Sequence, residues 1–201
     1  MSITSRPSDH DPDPAFPIRR FTVDEYHRMG ESGVIDENDR VELLEGLIVP
    51  KMIHNPAHDA TLELVDETLR RLLAAAWRVR IQSAISTADS EPEPDLIVVR
   101  GAIRDRAVRH PVPADIALVV EIAESSLARD RAKCRIYAAA AIPTYWIVNL
   151  VDAQIEVYSD PTGPGPSPEF NQRDIYKANQ SLRLVIDGQP IGEITASDLL
   201  P

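Results

Sequence analysis

The apolar positions of this chain change period several times, and each change marks an element. "DRVELLEGLIVPKMI" has apolar, β-rich runs on both sides of Gly46, the pattern of a hairpin. Ahead of it, "FTVDEYHRMGESG" predicts a short helix. Thr22 is a good N-cap, Glu25 stands three residues on as in a capping box, and Gly30 can end the helix. Asn55 followed by Pro56 opens a second helix through "AHDATLELVDETLRRLLAAAW", where Leu62, Val65, Leu69, Leu72 and Leu73 recur at helical spacing. "WRVRIQSAIS" alternates with period two, as a half-buried strand does, while "PDLIVVR" and "IALVVEIA" are apolar runs suited to central strands. "SLARDRAKCRIYAAAAI" reads as a helix stopped by Pro143, and "TYWIVNL" and "AQIEVYS" as two strands. "DPTGPGPSPEF" is a turn or loop, "RDIYKANQSLRLVI" further strand, and "GEITASDLL" ends in a short helix. The predicted class is α/β, a mixed α+β sheet flanked by helices, without a regular βαβ alternation or an internal repeat.

One residue breaks this pattern. From Ile116 to Ala123 every position is apolar except Glu121. An unpaired carboxylate in such surroundings costs many kcal/mol, so the run implies a buried ion pair, a strand end that reaches water, or a metal site. Asp95 opens "DLIVVR" at a comparable place in the preceding strand. If the two strands are neighbours, both carboxylates converge on one point. Two carboxylates, a backbone carbonyl and waters suit Mg²⁺, and Lys133 in the next helix can balance the charge. The competing arrangement has Asp95 capping a turn and Glu121 paired with an arginine.

Composition narrows the choice in part. At 201 residues the chain suits one domain, and a single cysteine, Cys134, excludes an internal disulfide and fits a reducing compartment. The polar, proline-rich start is not a signal peptide, and no apolar run approaches the ~20 residues that span a bilayer. A cytoplasmic protein without a membrane segment is expected. The net charge of -11 counts against a nucleic-acid partner unless a local patch or a metal ion supplies the attraction.

Several stretches together resemble a known family. "FTVDEYHRMGESGVIDENDRVELLEGLIV", "EPEPDLIVV" and "LVVEIAESSLARDRAKCRIYAAAAIPTYWIVNL" are similar to the bacterial family of putative restriction endonuclease domains, Uma-two, in the PD-(D/E)XK nuclease superfamily. The resemblance spans about residues 20–160. It implies a restriction-endonuclease-like core over 20–201 behind a flexible tail over 1–19. It also makes Asp95, preceded by Pro94, the aspartate of the motif and Glu121 the second acid. The motif's lysine is absent two positions later, where Ala123 stands, and Lys133 in the following helix takes its place. Glu42 matches a further acid near the site, with Glu45 a weaker candidate and His58 facing the cleft.

The implied activity is hydrolysis of DNA phosphodiester bonds by a homodimeric endonuclease, with Mg²⁺, or Mn²⁺ in its stead, held by Asp95, Glu121 and the carbonyl of Ile122. Lys133 would position the water or stabilise the developing charge, and Glu42 would orient a water or a second metal. Alanine at Lys133 is expected to remove activity and leave the fold intact. The alternatives are a silent module that keeps the fold, which the acidic charge favours, and a hydrolase of a smaller phosphate-containing substrate.

Other residues that could carry chemistry also admit plainer roles. His54 and His58 have the spacing of a zinc pair, but Pro56 between them argues that the helix begins after His54 and that they do not share a face. Ser126 reads as an N-cap, since no Gly-x-Ser-x-Gly elbow surrounds it or Ser125. Tyr137 shares a helix face with Lys133 and reads as core more readily than as its support. Arg100, Arg104, Arg106 and Arg109, with Arg129, Arg131 and Arg135, form a local basic patch if both groups edge one cleft, and otherwise are solvated. Trp77 and Trp146 read as core. The "YAAAAI" stretch is either a dimer face or buried within the subunit.

Overall fold

The computed structural model of the chain describes residues 17–36 and 38–201, and of residues 105 and 106 the backbone alone. Most of the expected tail, residues 1–16, therefore lies outside the described residues. Helix α1 (Val23–Glu31) starts at Thr22 with the reciprocal capping box the sequence announces. Gly30 does not end it: the C-cap is Ser32, and Gly33 beyond it has φ +72°. Strands β1 (Val41–Leu44) and β2 (Leu47–Pro50) form the expected hairpin about Gly46. Helix α2 (Pro56–Leu72) is capped by the Asn55 side chain, which accepts from the His58 backbone N–H.

The main sheet has six strands in the order β3 (Trp77–Ile81), β4 (Leu96–Arg100), β5 (Ile116–Ala123), β6 (Thr144–Asn149), β7 (Gln154–Pro161), β8 (Phe170–Lys177). Only β5 and β6 run parallel, because helix α3 (Leu127–Ala139) carries the chain across between them. The end of α3 falls before Pro143: Ala141 already has φ +54°, a conformation that stops the helix. The predicted strand after the proline-rich loop is two strands, β8 and β9 (Ser181–Ile186), and β10 (Gln189–Thr195) is a further strand beyond those expected. β9 and β10 pair antiparallel across Asp187-Gly188, both at positive φ, which is the turn chemistry of a tight hairpin. The expected short helix near the end of the sequence is a single 3₁₀ turn, Ala196–Leu199.

Alternation along β5 divides the two faces. Leu118, Val120 and Ile122 join Val65 and Leu69 of α2 and Leu182, Leu184 and Ile194 of the second hairpin in one core. Val119 and Ala123 join Tyr137 of α3, Ile142, Tyr145 and Ile147 in the other. Glu121 lies between these last two positions of the period, on the α3 side. Of the "YAAAAI" residues, Tyr137, Ala138 and Ile142 are buried within the chain. Trp146 is core as expected, whereas Trp77 is half-buried on the edge strand with the Arg100 guanidinium 4.5 Å over its ring.

Candidate active site

β4 and β5 are antiparallel, so the start of one meets the end of the other. The register pairs Leu96 with Val120, and one step outward it brings Asp95 beside Glu121. Asp95 Oδ2 accepts the Ile122 backbone N–H at 2.7 Å, which ties the two strand ends together at the carboxylate. Their union opens into a cleft of about 340 Å³ lined by Glu42, Asp95, Glu121, Ile122, Lys133, His54 and His58 among others.

Lys133 lies on the α3 face turned toward β5. Its ammonium is 3.0 Å from Glu121 Oε1 and 3.2 Å from Glu42, and its side chain is only 6% exposed. Glu42 comes from β1, which is anchored by the Glu91 N–H to Leu43 carbonyl bond, and it accepts from the backbone N–H of Glu93 at 3.2 Å. Tyr137 donates its hydroxyl to Glu121 Oε1 at 3.0 Å, so it touches the acid and is more than packing. Glu121 thus pairs with a lysine and a tyrosine, not with an arginine.

Electrostatics in the cleft are strongly perturbed. Burial pushes Glu121 well above the usual carboxylate range, with Lys133 pulling the other way. Burial likewise raises Asp130 to about 6, against a hydrogen bond from the Ser126 hydroxyl at 2.6 Å and the charge of Lys133. Burial alone would lower Lys133, but Glu121, Glu42 and Asp130 overcome it and hold the ammonium above its ordinary value. It stays charged and is no base at neutral pH.

The histidines depart from expectation. His54 and His58 do meet: their rings stack with centroids 4.0 Å apart and planes at 15°. The helix starts after His54 as supposed, but the extended Asn55 turns the preceding residue back over the first turn. His58 Nε2 is 3.1 Å from Asp95 Oδ1. Burial works against its protonation, yet the Asp95 contact raises its pKa, while burial and then His58 lower that of His54.

The basic patch does not assemble as one surface. Arg100, Arg104 and Arg109 sit at or beyond the far end of β4 from Asp95, with Arg100 paired to Asp187 and Arg109 to Asp115 at 2.8 Å. The Arg106 side chain lies outside the described residues. Arg131 binds Glu156 and Arg135 binds Glu45, which removes Glu45 from the cleft. Of the helical arginines, Arg129 alone lines the cleft, donating to the Pro50 carbonyl at 2.5 Å. Ser126 is the N-cap residue of α3 but makes no capping bond, its hydroxyl going to Asp130.

The donors present fit a divalent cation. Six carboxylates line the cleft (Glu42, Glu93, Asp95, Glu121, Glu124, Asp130) against four Lys or Arg side chains (Arg40, Lys51, Arg129, Lys133), a formal excess of two acids over bases. Among the described residues, the hydrogen bonds to Glu121 fall on Oε1 and the backbone bond to Asp95 on Oδ2. Oε2 and Oδ1 are thereby left for other partners, Oδ1 facing His58. Oxygen donors with excess negative charge are what a hard cation takes. Missed in the sequence were His54, excluded by the helix-face rule, and Asp130 and Tyr137, whose roles depend on how α3 packs.

The family model described as "Uma2: Putative restriction endonuclease" matches residues 23–187. The fold is similar to the crystal structure of a putative nuclease belonging to DUF820 from Anabaena variabilis ATCC 29413. The TM-score is 0.66 at 14% sequence identity, covering 91% of this chain and 97% of that one. No curated protein sequence matches the chain.

Proposed function

The chain belongs to the Uma2 putative restriction endonuclease family, and from that premise we propose that it is a divalent-metal-dependent endonuclease that hydrolyses phosphodiester bonds of DNA. The observation that carries this reading is the buried Lys133 ammonium held between Glu121 and Glu42 in the cleft that Asp95 also lines. A lysine displaced from strand to helix still delivers its charge to the strand end.

Asp95, Glu121 and the Ile122 carbonyl would hold Mg²⁺ or Mn²⁺, which when bound polarises the phosphate and acidifies a water. The chain's own residues do the rest. Tyr137 and Lys133 fix Glu121 through Oε1, so its other oxygen is presented in one orientation. The Lys133 ammonium has three N–H donors. Glu42 and Glu121 engage two, and the third can hold a water or a non-bridging phosphate oxygen, whose charge grows as water adds to phosphorus. Because Lys133 is held protonated, it donates and does not abstract. Glu42 keeps the ammonium in place from the side opposite Glu121. The attacking water releases a proton to solvent, the P–O bond to the departing sugar oxygen breaks, and that oxygen takes a proton from solvent.

Arg129 and Arg40 set two guanidinium groups on a cleft that stays acidic, so the attraction for a phosphate falls largely to the bound cation. A homodimer would place two such clefts on the two strands of a duplex, and a cytoplasmic location suits a DNA substrate.

The test is cleavage of supercoiled plasmid with Mg²⁺ or Mn²⁺, wild type against Asp95→Ala. Nicking or linearisation by wild type with metal, absent with chelator and in the variant, supports the reading. Equal cleavage by both proteins, or none by either, overturns it.

A further inference from the structure

The cleft offers nitrogen as well as oxygen. His54, His58 and Asp95 place one ligand atom each within 4.8 Å of the others. His58 Nε2 is 3.1 Å from Asp95 Oδ1, and His54 Nε2 is 4.0 Å from the same oxygen. Two ligands cis on an octahedral ion, each at about 2.1 Å, stand roughly 3 Å apart. The His58–Asp95 pair has that separation.

The surroundings hold His58 in this pose. Asn55 caps its backbone N–H at 3.0 Å, and the His54 ring stacks on its own. The Gln82 amide, 3.2 Å from His54 Nδ1, in turn holds the stacked ring. Among the described residues His58 Nδ1 is buried without a hydrogen-bond partner, with Asp59 3.6 Å away. A histidine retained for structure normally satisfies both ring nitrogens. Here the other nitrogen, Nε2, stands 3.1 Å from the carboxylate that would bind the cation.

We propose that His58 Nε2 is a ligand of the cation held by Asp95, and that this nitrogen makes the cleft select a first-row transition ion such as Mn²⁺ over Mg²⁺. The inference rests on the reading of the cleft as a metal-dependent nuclease centre. Mg²⁺ is a hard ion that takes oxygen ligands and keeps its waters, whereas imidazole favours first-row transition ions. A site in which the His58 imidazole joins the Asp95 carboxylate is therefore discriminating where carboxylates alone are not.

The experiment titrates Mn²⁺ and Mg²⁺ into the full chain by calorimetry and examines the Mn²⁺-loaded protein by pulsed EPR for ¹⁴N hyperfine coupling. Wild type, His58→Gln, His54→Gln and Asp95→Ala are compared. The expected result is ¹⁴N coupling in wild type and His54→Gln that disappears in His58→Gln. Mn²⁺ affinity should fall about 10-fold or more in His58→Gln, while Mg²⁺ affinity changes less than about 3-fold. Should His58→Gln fail to fold, the wild-type and His54→Gln spectra decide. Mn²⁺ bound by wild type in an Asp95-dependent way, but without ¹⁴N coupling, overturns the inference and leaves the Asp95–Glu121 centre standing. Coupling that survives in His58→Gln or vanishes in His54→Gln also overturns it. No Mn²⁺ binding to wild type, or binding indifferent to Asp95→Ala, overturns both.

Discussion

The Lys133 ammonium lies 3.0 Å from Glu121 Oε1, a contact between a helix and the strand beneath it that closes a polar pocket inside an apolar core. The pair is too deep to be a surface salt bridge. Removing one partner of a buried ion pair leaves the other uncompensated and costs about 3–5 kcal/mol. Lys133→Ala would leave Glu42 and Glu121 facing each other, so the expectation of an intact, merely inactive protein needs revising. The variant should melt roughly 10 °C lower than wild type, at about 2–4 °C per kcal/mol for a chain of this size. Plasmid cleavage, measured well below both melting temperatures, should fall by about 10²-fold or more. A variant that melts with wild type would show that the pair contributes nothing.

Asp130 gives the chain a pH dependence of its own. Its folded pKa is raised to about 6, first by burial, whereas in the unfolded chain an aspartate titrates near ~4. Between those values the folded protein holds a proton that the unfolded chain has lost. Stability therefore falls as pH rises from about 4 to 6 and levels off above. Asp130→Asn keeps an acceptor for Ser126 and removes the titration. Thermal melts of the metal-free protein across that range should show wild type losing ground to the variant as pH increases. Parallel curves would mean that Asp130 ionises normally.

Some of this was legible in the sequence. Glu121 announced itself because a carboxylate inside an apolar run has few explanations, and Asn55-Pro56 gave the start of α2 through local cap chemistry. Asp95 and Glu121 could be set side by side because antiparallel pairing joins a strand start to a strand end. The β9–β10 hairpin was also readable, from Asp187-Gly188, but its alternation is weak around Pro190 and Gly192, where the register shifts. The His54–His58 stack was not. The rule that such residues must share a helix face applies within a helix, and His54 precedes the cap. Nor were the Tyr137 and Asp130 contacts, since the direction of a hydroxyl or carboxylate follows from the packing of α3 against β5, which no local spacing encodes.

A second buried acid carries the opposite pH signature, away from the cleft. The Glu156 side chain is fully buried in β7. Burial by itself raises its pKa, but hydrogen bonds from Arg131, Tyr158, Asn149 and Arg173 bring it down to about 2. Its contribution to stability is thus complete above the ordinary carboxylate value and is lost as pH falls from about 4.5 toward 2. Glu156→Ala should destabilise by roughly 2–3 kcal/mol, at or below the lower limit for a buried pair because both arginines are partly exposed. It should leave divalent-cation binding unchanged, since Glu156 does not line the cleft. Calorimetric titration of the variant with Mn²⁺ checks the second point; weakened binding would tie Glu156 to the site.

Gly46 tests whether the β1–β2 hairpin holds Glu42 where the cleft needs it. Glu45 and Gly46 sit at φ +49° and +75°, the paired left-handed conformations of a tight hairpin turn. The Gly46 carbonyl accepts the Phe21 N–H at 2.8 Å, and its own N–H donates to the Asp89 carbonyl at 2.8 Å. The turn thereby joins the segment before α1 to the loop that leads to Asp95. A Cβ on Gly46 would lie 2.6 Å from Arg20 Cβ and 3.0 Å from the Phe21 carbonyl oxygen. Gly163 is the natural control, with φ +76° but nothing within 4 Å of an added Cβ. Gly163→Ala should cost only the left-handed backbone penalty, about 1 kcal/mol. Gly46→Ala carries that penalty plus the displacement of residues 20 and 21, and should cost about 2–3 kcal/mol. The excess separates backbone strain from packing, and denaturant melts of the two variants measure it directly. If the hairpin also orients Glu42, cleavage by Gly46→Ala should drop several-fold at a temperature where the protein is fully folded, while Gly163→Ala cleaves at the wild-type rate. Equal losses of stability in the two variants would mean that the close approach at Arg20 relaxes without cost and that the hairpin does not constrain the cleft.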